Sequence, residues 1–332
     1  MLSRFMHRRL CQMRPSNFVH VTKSFNRQTK TSKSLFKRND IEVGEAESIT
    51  SSFGVKSLIK PFLFTVSFSG CSFLAASIWQ YEEMRKIAHH FMNKHSPTFE
   101  SYVNIPAFKR SEIRRKIHFW WHSHTEGQKI AMGIAAANFC VFLMWRVPAL
   151  YPFMRKYFCA SPALGASCLP MVLSTFSHFS FFHFAANMYV LYSFSTTAVS
   201  YFGKEQFLAV YCSAGVISSF TSYVYKIASG RLVTSLGASG ALMAILSSMC
   251  FRYPDIPLQI IFLPFFTFSA GHAIKAIMAL DVVGLVAKWK LFDHAAHLGG
   301  ALFGILYLTY GNEYIWGRRE YIFKWYHSIR EK

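Results

Sequence analysis

The amino-acid sequence predicts an all-α polytopic membrane protein, in which a six-helix core follows one additional N-terminal transmembrane helix. Three observations carry this expectation. Hydrophobic residues make up 52% of the 332 positions and charged residues only 16%, with a mean hydropathy of +0.22, a balance unlike that of a soluble domain. The apolar excess is gathered into long runs, five of which contain no Lys, Arg, Asp or Glu. A helix rising about 1.5 Å per residue needs roughly 20 apolar residues to cross a hydrocarbon core of about 30 Å. Unpaired backbone polar groups are too costly in lipid for an open alternative.

The first 39 residues hold ten Lys or Arg, no Asp or Glu, and many Ser and Thr. That composition is expected of a mitochondrial transit peptide; a secretory signal would need a compact apolar core near residue 10. Residues 1–50 are therefore assigned to targeting and linkage. In 51–129, the additional helix at about 61–81 precedes a polar connector in which Glu82–His90 and Glu112–His122 have the mixed character of surface helices.

The core, 130–312, contains runs at 130–150, 180–202, 207–225, 232–251 and 294–312 and one crossing within 256–287. Arg146, near one end of 130–150, can snorkel to headgroups. Pro264 divides 256–287, so 256–266 is expected to be an interfacial strand or helix and 268–287 the crossing. A polar tail, 313–332, completes the chain. Inverted repeats of the kind that build transporters are not visible.

The net charge of +20 draws on the N-terminal segment and on Lys109–Lys116, pointing to membrane and targeting. No aromatic–basic interleaving, zinc-finger spacing or RNA-binding signature supports a nucleic-acid partner. The seven cysteines form no CxxC pair, which argues against a structural zinc site or a disulfide framework, although Cys159 and Cys168 share a loop.

Helix parity supplies the functional expectation. Alternate crossings run in the same direction, so the segments beginning near 180, 232 and 294 start at one membrane face. Close to those starts lie His183 with Asn187, Ser239, and His297, within about 5–10 Å of the surface at 1.5 Å per residue. Gly237 and Gly240 flank Ser239, while Gly300 and Gly304 follow His297. Such glycines suit close helix packing; here packing would also bring the imidazole to the hydroxyl. The chemistry that follows is acyl transfer, with Ser239 as nucleophile and His297 as general base. The Ser239 backbone N–H, the His183 side chain and the Asn187 amide are candidate oxyanion donors, each worth roughly 3–4 kcal/mol where fully used.

Other chemistries remain open on the same residues. His178, His183, His294, His297 and Asp293 could hold a metal, but there is no HExxH, and chelation would leave Ser239 idle. An aspartyl protease needs two facing carboxylates, whereas Asp281 is the single acid within the core crossings. Asp281 and Lys275 raise a transporter reading, yet six residues apart they face different sides of a helix. Asp293, four residues before His297, is a candidate supporting acid or helix cap.

Gly237-Ala238-Ser239-Gly240 resembles the GxSG motif of rhomboid intramembrane serine proteases, His183-x-x-x-Asn187 their HxxxN, and His297 with Gly300 and Gly304 their final-helix motif. Ser174-Thr-Phe-Ser-His-Phe-Ser180, Phe262–Gly271 and Phe292–Gly300 are similar to the mitochondrial branch. The resemblance covers most of 60–332 and implies a rhomboid-like six-helix core, a Ser–His dyad without a required acid, and an oxyanion hole from His183, Asn187 and the Ser239 backbone. It implies a structural role for His178, no cofactor or metal, and a multi-pass location in the mitochondrial inner membrane. The implied partners are the lipid bilayer and single-pass membrane-protein substrates cut within or beside their membrane segment, with room for regulatory membrane proteins. The alternative is a catalytically inactive rhomboid-like protein that only binds membrane helices. One departure is expected: many members carry Trp-Arg in the loop before HxxxN, where this chain has Cys168-Leu-Pro-Met-Val-Leu-Ser174.

Overall fold

The computed structural model describes residues 55–94, 112–163, 168–231, 233–260, 263–289 and 292–331. The transit-peptide expectation and part of the connector, 95–111, lie outside the described residues. Helices dominate Ser51–Lys332, which forms one compact unit. Among the described residues, three helices are long and apolar enough to cross a membrane, Lys56–Met92, Glu126–Met144 and Lys204–Ser229, and Ser239–Arg252 is a shorter apolar helix.

Helix α1, Ile59–Lys94, contains the expected first crossing but does not stop there. The stretch Glu82–His90, expected as a separate surface helix, is its continuation. Glu82–Arg85 and Glu83–Lys86 pair at one-turn spacing along it, and no proline interrupts it after Pro61. Helix α2, Glu112–Ser123, is separate. It is followed by α3, Glu126–Met144, whose start is set by a Thr125–Gln128 capping box. A loop that includes the short helix α4 (Tyr151–Tyr157) and a single helical turn at Pro170–Leu173 leads to α5, Phe181–Phe202.

Helix α6, Lys204–Ser229, is longer than the 207–225 run and occupies the centre. Phe207, Tyr211, Ala214 and Val216 on it are fully buried. It begins after Gly203 and ends at Gly230, whose left-handed backbone closes the helix. Small residues let its neighbours approach: a Cβ on Gly215 would collide with Thr175, and one on Gly299 with Thr221.

The 232–251 run departs most from expectation. Its helix, α7, spans only Ser239–Arg252. Before it, Ser235 forms an antiparallel bridge with Ala160, and the Gly237 N–H donates to the Ser174 carbonyl at 2.9 Å. Those bonds hold the strand-like approach away from helical geometry, so Ser239 is the first residue of the helix rather than lying two turns inside it.

Strands β1 (Pro257–Ile260) and β2 (Leu263–Ser269) form an antiparallel hairpin, which begins in the range expected to be an interfacial strand or helix, 256–266, and runs three residues past it. Helix α8, Ala270–Val286, then occupies the position expected for the crossing. Helix α9, His294–Leu306, continues as a π-helix over Tyr307–Trp316. The C-terminal tail is also folded: α10, Glu320–Arg330, lies along α1, with Arg319 donating to Gln80 at 2.6 Å and Tyr81 bonded to His327 at 2.6 Å. Phe182, Phe265 and Val286 are strongly exposed, as side chains turned towards lipid would be.

Candidate active site

The close packing of α7 against α9 brings the candidate residues together. A Cβ on Gly300 would fall on the Gly240 carbonyl, and one on Gly304 on the Ala244 carbonyl. Ser247 and Ser248 donate across the same seam to the carbonyls of Ala301 and Gly304, both at 2.9 Å. In an apolar medium such interhelical bonds and close backbone contacts hold helices that hydrophobicity alone would not. At the top of this seam, the Ser239 Oγ is 2.8 Å from the His297 Nε2, across 58 residues of sequence.

Ser239 is half-buried, and its backbone N–H belongs to the first helical turn, where no intrahelical acceptor is available. Immediately before it, Gly237 has φ +131°, and a Cβ there would strike the His183 ring. Glycine thus satisfies both the backbone conformation and the close approach of His183. His183 is half-buried on α5, and Asn187 is buried one turn later. One amide hydrogen of Asn187 is committed to the His183 carbonyl at 2.7 Å, leaving the second available to an oxyanion. His178 lies outside this reactive line: its Nε2 accepts from the Ala238 backbone N–H at 3.3 Å. Burial and neighbouring His183 lower its pKa to about 3, so it remains a neutral acceptor at working pH.

The expected absence of a Trp-Arg pair is corrected. Trp145 and Arg146 open the loop directly after α3, more than 20 residues before Cys168–Ser174. Trp145 is buried and donates to Ser177 at 2.9 Å. Arg146 bonds to the Phe179 carbonyl and lies 4.4 Å above the Phe142 ring. Together they tie the end of α3 to the approach to α5.

The two aspartates also separate. Asp293 caps α9, accepting from the Ala296 N–H at 3.0 Å. It also bonds to Ser222 and Ser235 and lies 3.3 Å from the Lys226 ammonium. Although burial raises its pKa, Lys226 and these hydrogen bonds dominate and bring it to about 2. It does not face His297. Asp281 instead has its Oδ1 3.2 Å from the His297 Nδ1 and 2.6 Å from the His294 Nδ1. No Asp281–Lys275 ion pair is formed among the described residues. The sequence signal for Asp281 was parity itself: it lies near the C-terminal end of the intervening helix, which reaches the same face as the starts of its neighbours.

Among the histidines considered for a metal, His294 and His297 converge with Asp281, their ligand-type atoms within 4.8 Å of one another. Asp293 is engaged elsewhere. Cys159 and Cys168 are both free thiols.

A rhomboid domain model matches residues 165–313. The rat presenilin-associated rhomboid-like protein, mitochondrial, is 54% identical over 281 residues, covering 84% of this chain and 74% of that protein. The human protein of the same name is 51% identical over 303 residues, with 90% and 79% covered. Rhomboid protein 1, mitochondrial, from Saccharomyces cerevisiae is 32% identical over 188 residues, with 56% and 54% covered.

Proposed function

The chain belongs to the mitochondrial rhomboid family and is a rhomboid-type serine endopeptidase of a mitochondrial membrane, and from that premise we propose that Ser239 and His297 form its catalytic dyad. The 2.8 Å Ser239–His297 contact carries this reading. The Ser239 Oγ attacks a scissile carbonyl while its proton passes to the His297 Nε2. The resulting oxyanion lies within reach of the Ser239 backbone N–H, His183 and Asn187. Collapse transfers the His297 proton to the leaving amine; water, activated by the same imidazole, then hydrolyses the acyl-enzyme.

The proposed substrates are single-pass mitochondrial membrane proteins, cut within or beside their membrane segment. The proposed setting is the inner membrane, with six core crossings, one additional N-terminal crossing and the domain limits inferred from sequence. The half-buried Ser239 at a helix start supports a site open to water from one face. An inactive helix-binding protein would have no chemical need for the aligned hydroxyl and imidazole.

Purified Ser239→Ala protein is expected to remain folded and membrane-inserted but lose cleavage of a single-pass reporter. Unchanged turnover in that protein would sink the assignment. A fluorophosphonate should label wild type at Ser239 and label His297→Ala far less; equal labelling would remove His297 as the base.

A further inference from the structure

The proposed dyad leaves unused a buried carboxylate directly behind its base. Asp281 and His294 have side chains only 5% and 3% exposed, and His297 is 15% exposed. A carboxylate oxygen is an acceptor, so the two close Nδ1 contacts are satisfied together when both rings carry hydrogen on Nδ1. For His297, that tautomer turns an Nε2 lone pair towards the Ser239 hydroxyl, 2.8 Å away. The opposite tautomer would present two acceptors to one another behind the ring and no acceptor to the serine in front.

The local backbone is adapted to this arrangement. Gly284 follows Asp281 by three residues on α8, and a Cβ at Gly284 would strike the His294 Nε2, Cδ2 and Cε1 atoms. The missing side chain therefore admits the His294 ring beside the carboxylate. His294 makes the shorter contact with the Asp281 Oδ1, holding that oxygen where the His297 Nδ1 also reaches it. A buried acid inside a membrane protein is costly and is ordinarily retained for such a polar task.

We propose that Asp281 is a positioning residue that fixes the tautomer and orientation of His297, and that His294 in turn holds Asp281. This rests on the proposed Ser239–His297 reading. Through the reaction, the proton taken from Ser239 resides on the His297 Nε2, while the Nδ1 hydrogen stays on the ring. Asp281 stabilises the resulting imidazolium without taking a proton. His294 is a second-row support whose loss loosens the carboxylate but leaves its charge in place.

The test is turnover of a single-pass reporter by the full chain in proteoliposomes. Asp281→Asn should lower kcat by about 100-fold or more while KM stays within about threefold, and Asp281→Glu should recover part of the loss. His294→Ala should lower kcat by roughly tenfold, less than Asp281→Asn. An Asp281→Asn kcat within about twofold of wild type would overturn the proposal. A wild-type measurement avoids dependence on how the variant folds: nitrogen NMR of histidine-labelled protein should find neutral His297 as the Nδ1–H tautomer, assigned by its loss in His297→Ala. An Nε2–H tautomer overturns the proposal.

Retention of one zinc per chain, with turnover changed by a chelator, would also overturn it and make the three residues a metal site. Fluorophosphonate labelling separates the two levels. No labelling of wild type at Ser239 removes the dyad; a full labelling rate in Asp281→Asn, with labelling abolished in His297→Ala, removes only Asp281.

Discussion

Asp281 and Asp293 both approach α9 from the same end of the molecule, but their surroundings differ in kind. The Asp281 carboxylate is met by two imidazoles, one of which also reaches Ser239. Asp293 is met by an ammonium, two hydroxyls and a backbone N–H. The second set neutralises the acid and joins α6, the strand-like approach to Ser239 and the start of α9. The first set leaves the acid's field acting on a ring that can change its charge. The more deeply buried Asp281 and the half-buried Asp293 thus have two jobs, set by their neighbours: Asp293 fixes where the helix begins, whereas Asp281 is placed to bias what its histidine does.

The largest effect expected on the Asp293 side comes from Asp293→Ala. Removing one member of a buried ion pair leaves Lys226 uncompensated, a loss of about 3–5 kcal/mol, with the N-cap bond lost as well. The midpoint of thermal denaturation in detergent should fall steeply, while kcat per folded molecule remains within about tenfold of wild type. Adding Lys226→Met to Asp293→Asn should bring stability back to within about 2 kcal/mol of wild type, since the buried charge disappears with its partner. A selective kcat loss of about 100-fold in Asp293→Ala, without loss of stability, would erase the distinction from Asp281.

The proposed nucleophile, base and oxyanion donors were legible in sequence because small residues bracket Ser239 and follow His297, and because their segments were expected to start at the same membrane face. Asp281 escaped that pattern as a partner of His297 because it lies towards a helix end rather than at a helix start. The C-terminal ends of the alternate helices reach that face too, carrying Asp281 on α8, Lys226 on α6 and Trp145 at the end of α3. The start of α7 was misplaced for a different reason. Leu236, Ala238 and their apolar neighbours fit a membrane helix by composition, while the Ser235–Ala160 bridge that holds them extended is a contact across 75 residues. No local pattern announces such a partner.

Acid provides a smaller and reversible version of the Asp293 test. Its pKa is lowered from 3.8 to about 2, with Lys226 and the hydrogen bonds outweighing the opposing effect of burial. A lowered folded-state pKa adds stability above the unfolded value, and that contribution disappears as pH falls through the folded value. The contribution should be on the order of 2 kcal/mol near pH 5 and fade towards pH 2. Comparing denaturation midpoints of wild type and Asp293→Asn over that interval checks it. A difference between them that does not shrink would mean that the Asp293 charge is not what stabilises this corner.

The smallest expected effect is that of Ser222→Ala, because it removes one hydrogen bond to Asp293 while retaining Lys226, Ser235 and the Ala296 cap. Ser222 is buried, so water cannot fully replace its hydroxyl, and a loss of about 1–2 kcal/mol is expected. Its effect on the fluorophosphonate labelling rate of Ser239 should stay within about twofold, since the lost bond restrains a helix start that three other contacts still hold. A tenfold slower labelling at nearly unchanged stability would show instead that the Asp293 network transmits small displacements to the reactive serine. The two acids would then have to be treated as coupled parts of one site, with Ser235 the shortest covalent route from the Asp293 cluster to Ser239.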